Sequence, residues 1–216
     1  MKSHDLFLDY VMPHVPGAPI EIALHEIKNT IIDFCEKSMV LQETLDPVTT
    51  IANIADYDLE PPTNRLVVKI LRSWYKNNEL LPQSTDEIIG PAIYNAEAAD
   101  AHVQYSNPQI IMQKDPRTYS LYPIPKETVV NSVTLRVALK PTRSIDTIDD
   151  VIYEEYADTI GRGAIARLAI SPDKPYTNDK VAMASEALYR AGLNVARDRA
   201  LKSFVRVAKQ VHIRRI

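Results

Sequence analysis

The apolar residues of this chain change period twice, and that restricts its fold more than any other feature. From 19 to 39 they recur at helical spacing, with Ile20, Leu24, Ile27, Ile31, Phe34 and Ser38 on one face and Cys35 bordering it. Between about 46 and 141 the texture is β-branched and aromatic, in VTTIANI, RLVVKILRSWY, PQIIMQ, RTYSLYPI and VVNSVTLRVAL. After Pro141 the helical spacing returns. A chain of 216 residues with helices on both sides of a strand-rich block reads as α+β. The expected architecture is a discontinuous α-helical bundle, built from N-terminal and C-terminal helices, with an inserted antiparallel β domain and an extended C-terminal tail. Its expected bounds are 1–45 and 142–203 for the bundle, 46–141 for the insert and 204–216 for the basic tail.

Local signals refine this outline. Pro19 suits the first position of the first long helix. HDLFLDYVM (4–12) forms a short helix stopped by Pro13 and Pro16. Asn77-Asn78 separates two strand-like runs and suggests a hairpin, and Ser84 to Glu87 match a capping box that opens a short helix at 84–90. In the last strand Val133, Leu135, Val137 and Leu139 share one face. Ser144 caps a helix carrying Ile145, Ile148, Val151, Ile152, Tyr156 and Ile160, which Gly161 and Gly163 interrupt and GAIARLAIS completes. A long helix then runs from about Asn178 to Ser203 with Val181, Ala184, Leu188, Ala191 and Val195 on one face.

Charge is distributed unevenly. The net charge is −3, yet from Arg190 onward eight basic residues face the single acid Asp198, so residues 1–189 carry −10. Cys35, the single cysteine, allows no intramolecular disulfide and no cysteine-built zinc site. Five glycines against 15 prolines leave little room for phosphate-cradling loops. No run of 18 apolar residues is present, and the opening MKSHDLFLDYVMPHV is too polar for a signal peptide. The expectation is a protein without a membrane span that stays in the compartment where it is made.

The residues that could carry chemistry do not assemble into a recognisable motif. Cys35 reads either as a nucleophile needing a base or as a small buried hydrophobe. HEIKN (25–29) has half of a zincin motif, with Asn29 where the second histidine belongs. Asp146, Asp150, Glu154 and Asp158 step by four, forming an acidic stripe that reads as a solvated face, a divalent metal site or a surface meeting cations. There is no phosphate loop, nucleophile elbow or Rossmann glycine pattern. The expectation is a protein that is not an enzyme and uses no metal or cofactor.

The C-terminal stretch SFVRVAKQVHIRRI changes period again and looks extended. Arg206, Lys209, Arg214 and Arg215 could grip nucleic acid. Phe204, Val205, Val207, Val211 and Ile213 would be poorly used in an electrostatic arm, and their alternation suits docking on another protein. A flexible tail is the third reading.

Three stretches, taken in order, resemble a known family. IIDFCEKSMVLQETLDPVTT followed by ADYDL, then YSLYPIPKETVVNSVTLRVALKP, then GAIARLAISPDKPYTN are similar to the head-to-tail adaptor (connector) proteins of tailed bacteriophages, of the short-tailed type. Together they anchor roughly 19–60 and 117–200, and 76–112 carries no such match. Ala55 and Met39 stand where the family often has glycine and tryptophan, while Tyr176 fits its aromatic after "KP". The resemblance implies a structural virion protein forming a ring of twelve copies at the portal–tail junction, assembled in the host cytoplasm, with genomic DNA passing through its channel. It implies portal protein and a tail or nozzle protein as partners, with Phe204 to Ile216 embracing the portal. By the same resemblance Phe34, Cys35, Gly163, Ala164 and Arg167 are packing positions, and the acidic stripe faces the next subunit's cations or lines the channel. The runner-up is a DNA-binding protein using its basic C-terminal helix and tail.

Overall fold

In the computed structural model, residues 1–83 and 105–202 are described. The short helix expected at 84–90 and the whole tail, Phe204 to Arg215 included, lie outside them. The chain is α+β and forms two compact units, which divide between Val40 and Leu41 and between Ile145 and Asp146. Both divisions fall a few residues from the expected bounds. Gln42–Thr44 pairs with a strand of the insert, and the Thr142 amide donates to the Asn64 carbonyl, so 41–45 and 142–145 belong with the β unit.

The helical unit begins with β1 (Lys2–Ser3), followed by α1 (Leu8–Val11), a single turn flanked by 3-10 turns at His4–Phe7 and Met12–His14. α2 (Ile20–Ser38) starts after Pro19, whose extended backbone sets the entry. It ends where Met39 turns left-handed (φ 55°) and its amide bonds the Cys35 carbonyl. Ser38 donates its hydroxyl to the Phe34 carbonyl at 2.6 Å, which satisfies a polar group buried beside that end. The buried face comprises Ala23, Ile27, Thr30, Ile31, Phe34, Cys35 and Ser38. Ile20, expected on that face, is exposed, because the packed stripe begins a turn later at Ala23. Cys35 is inside the stripe rather than at its border.

In the β unit, β2 (Gln42–Thr44) and β3 (Val48–Thr50) lie on one side of the longest strand, and β4 (Asp56–Asp58) joins a second sheet. β5 (Arg65–Tyr75) continues into β6 (Asn78–Glu79) through Lys76 and Asn77, both at positive φ, so the hairpin turn is one residue earlier than the Asn77-Asn78 pair suggests. Then come β7 (Leu81–Pro82), β8 (Tyr105–Ser106), β9 (Ile110–Gln113), β10 (Thr118–Tyr122), β11 (Ile124–Pro125) and β12 (Val129–Pro141). β12 runs antiparallel to β5 and buries Val133, Leu135, Val137 and Leu139 on one face, as its alternation requires. The facing strand breaks alternation: Val67, Ile70 and Ser73 are buried at intervals of three. The register slips twice, at Arg136/Val137 and at Ala138/Leu139, and each bulge adds one residue to β5.

The insert is not wholly antiparallel, which corrects the expectation. β7 pairs parallel with β9, and β8 parallel with β11. A parallel neighbour needs a long crossover rather than a hairpin, and residues 83–109 supply that length between β7 and β9.

The helical unit resumes with β13 (Thr147–Ile148), which pairs antiparallel with β1. That pairing holds 147–148 extended, so α3 (Asp150–Ala169) starts after Asp149 and not at Ser144, whose hydroxyl shares a hydrogen bond with Thr142. α3 also runs unbroken through Gly161 and Gly163. A Cβ at Gly161 would lie 2.9 Å from the Tyr10 Cβ, and one at Gly163 only 2.6 Å from Thr30 Cγ2. Close approach of neighbours, not helix breaking, is why glycine stands there. α4 (Asp179–Lys202) follows, with the Asn178 side chain accepting from the Val181 amide at its start.

Candidate interaction surfaces

Asp33 ties the three long helices together. Its carboxylate accepts a 2.8 Å hydrogen bond from the Tyr189 hydroxyl on α4, pairs with Lys37 at 2.7 Å on its own helix, and lies 3.7 Å from the Arg167 guanidinium on α3. Burial pushes the Tyr189 phenol up, and the Asp33 carboxylate pushes it further. Of the residues expected to pack, Phe34, Cys35, Gly163 and Ala164 are buried, whereas Arg167 is half-exposed and acts through this ion pair. Cys35 is fully buried, so a role as nucleophile would require the core to open.

The acidic stripe divides. Asp146 precedes β13, off the helix, and pairs with Lys28, whose hydrogen bond and charge hold its carboxyl below the usual range. Asp150, Glu154 and Asp158 do share an exposed side of α3. Each has a cation of the same chain beside it: the Met1 amino group at 2.8 Å, Lys2 at 3.6 Å and Arg162 at 3.5 Å. The self-repulsion expected of the stripe is thereby offset locally. Among the described residues no group of three or more His, Cys, Asp or Glu could hold a metal ion.

No protein-family model matches this chain, and no curated protein matches its sequence.

α4 packs with a face other than its apolar one. It buries Ala182, Ser185, Tyr189 and Ala196, mostly small side chains that let it approach α3, where a Cβ on Gly192 would meet Thr159 Cγ2 at 2.6 Å. The stripe of Val181, Ala184, Leu188, Ala191 and Val195 is left outward, with Leu188 55% and Val195 53% exposed. Ala187 and Asn194 widen it, so that arc of the helix carries no charge between Lys180 and Arg197. Three of the cations around it are occupied: Arg190 pairs with Glu186 at 2.6 Å, Lys202 with Asp198 at 2.6 Å, and Arg199 with Glu155 of α3 at 3.3 Å. Sequence reasoning saw the stripe but could not tell that a second, less apolar face would be the buried one. The signal was the series Ala182, Ser185, Gly192 and Ala196, small residues at helical spacing, beside a tyrosine whose hydroxyl needs a partner.

Proposed function

We propose that this chain is a head-to-tail adaptor of a tailed bacteriophage, a ring-forming subunit that joins the portal to the tail and lets DNA pass. The observation that carries this reading is the uncharged outward face of α4, on the helix that leads into the basic C-terminal end of the chain. Exposed apolar surface of this kind fits protein contact better than solvent. The three ordered stretches of resemblance supply the identity of the assembly, and helices from both ends of the chain gather in one unit with strands in the other, as that reading expects. In this account the partners are further copies of the chain, the portal and a tail or nozzle protein, and the setting is the virion.

Direct DNA binding by the basic final helix fits less well. Three of its cations, Arg190, Arg199 and Lys202, already face carboxylates of the same chain, which lowers the counterion release they could offer to phosphates. Two roles for Asp150, Glu154 and Asp158 separate under one variant. Neutralising all three weakens ring assembly if they face the next subunit and leaves it intact if they line the channel.

The test mixes the full chain, and a version ending at Ser203, with purified portal from the same phage, and images the product. Rings added by the full chain and not by the truncation support both the role and the tail as anchor. Absence of rings with either, together with salt-sensitive binding to duplex DNA, replaces the adaptor reading with the DNA-binding one.

A further inference from the structure

The outward stripe of α4 has a counterpart of matching length on the same unit. On α2, Ile22, His25, Asn29, Ile32 and Glu36 follow the same alternation of three and four on the side turned away from its core. Ile22 and His25 are exposed, and Asn29 and Ile32 are half-buried. Each stripe covers fourteen residues of rise, about 21 Å of helix. Resting on the ring reading, we propose that the α4 stripe of one copy packs lengthwise on the α2 stripe of the next, making the repeated head-to-tail contact of the ring.

Shape and charge both favour this occupant. Ala184 and Ala191 leave shallow notches on either side of Leu188, and the α2 stripe offers Ile22 and Ile32 as projecting apolar groups. The ends of the α2 stripe carry Glu21 and Glu36, and the N-terminal end of the α4 stripe carries Lys180, all exposed. Lys180 therefore meets a carboxylate whichever way the helices run, Glu21 if they are parallel and Glu36 if they are antiparallel. Two different surfaces joined in this way form a heterologous contact, the type that closes rings.

Size argues for assembly over a free dimer. A stripe about 21 Å by about 10 Å offers on the order of 200 Å², against about 800 Å² per partner in a standard stable interface. Such a contact holds only when many copies are aligned together, as a template would align them.

The middle residues of the two stripes, Leu188 and Asn29, meet in either orientation, which gives a direct test. In a Cys35→Ala background, full chains carrying Leu188→Cys and Asn29→Cys are mixed at high concentration and oxidised, since a disulfide traps even a brief contact. Met183→Cys, on another side of α4, replaces Leu188→Cys in the control. The expected result is a mixed Leu188→Cys/Asn29→Cys disulfide at least tenfold above the control pair and above either homodimer. A dominant Leu188→Cys homodimer would show a symmetric contact and overturn the inference, as would mixed disulfide no higher than control. If the mixed disulfide forms while the full chain adds no ring to a portal, the contact stands and the adaptor reading fails.

Discussion

Tyr189 and Asp33 are 156 positions apart in sequence and 2.8 Å apart in space, hydroxyl to carboxylate. This bond fixes α4 against α2, with the Lys37 and Arg167 cations balancing the charge. Tyr189→Phe keeps the packing and removes only the donor. It should lower unfolding free energy in urea by about 1.5–3 kcal/mol, the range for hydrogen bonds to charged groups. An unchanged midpoint would show that Lys37 and Arg167 satisfy Asp33 alone.

Tyr119 makes the opposite case. Its ring is fully buried and stacks on Tyr57 at 5.6 Å between centroids, yet no protein group among the described residues pairs with its hydroxyl. Burial holds the phenol well above its usual range. Tyr119→Phe keeps the stack and sheds a polar group that would otherwise be desolvated, so stability should hold or rise by about 1 kcal/mol. Urea midpoints for the two Tyr→Phe variants should therefore move apart. A loss at Tyr119 as large as that at Tyr189 would point to a hidden partner.

At Gly163 packing opposes helix propensity. Alanine in a helix interior is favoured over glycine by about 1 kcal/mol, but its Cβ would sit 2.6 Å from Thr30 Cγ2 and 2.8 Å from Tyr189 Cδ2. Gly163→Ala should cost about 1–3 kcal/mol through overpacking. Thr30→Ser removes the closer carbon while keeping the hydroxyl that donates to the Glu26 carbonyl, so the double variant should recover part of the loss. Thermal melts of the two singles and the double form the cycle, and strict additivity would place the strain elsewhere.

These glycines mark the limit of what the sequence conveys. The period of the apolar residues showed the helix and the strand correctly for α2 and β12, because burial of one face imposes the period directly. Gly161 and Gly163 looked like breaks because a glycine that ends a helix and one that admits a neighbour are the same letter. The late start of α3 was hidden for a similar reason: β13 exists only because Lys2 and Ser3, far away in sequence, pair with Ile148 and Thr147. The β5 bulges left a trace, apolar residues three apart in a strand, though that trace also fits a helix. On the candidate surface the apolar stripe of α4 was legible, but its outward orientation was not. Competition between faces is decided by Asp33 and Thr159 on other helices, and neither is local to α4.

The remaining prediction concerns pH. His4 is 4% exposed, and neither ring nitrogen makes a well-formed hydrogen bond to a protein group among the described residues, the Thr147 backbone lying beside the ring. Burial lowers its pKa from 6.5, an effect that Asp146, Asp5 and the nearby Thr147 backbone oppose and that Lys28 reinforces. In the unfolded chain the imidazole takes up a proton near pH 6.5 and in the fold only at lower pH, so between those values the unfolded state binds more protons. His4 thus contributes stability that is fully present above about pH 6.5 and is lost as pH falls through the folded-state pKa. The carboxylates of Asp56, Asp146 and Asp150 are held below their usual values, so their contributions fade only in more acidic solution. Urea unfolding from pH 7.5 to 5 should show a decline in wild type that His4→Leu, which keeps the site apolar, largely removes. The wild-type curve should lose ground to the His4→Leu curve steadily toward the acidic end of that range. A decline of the same slope in His4→Leu would assign the pH sensitivity to other groups and leave His4 neutral to stability.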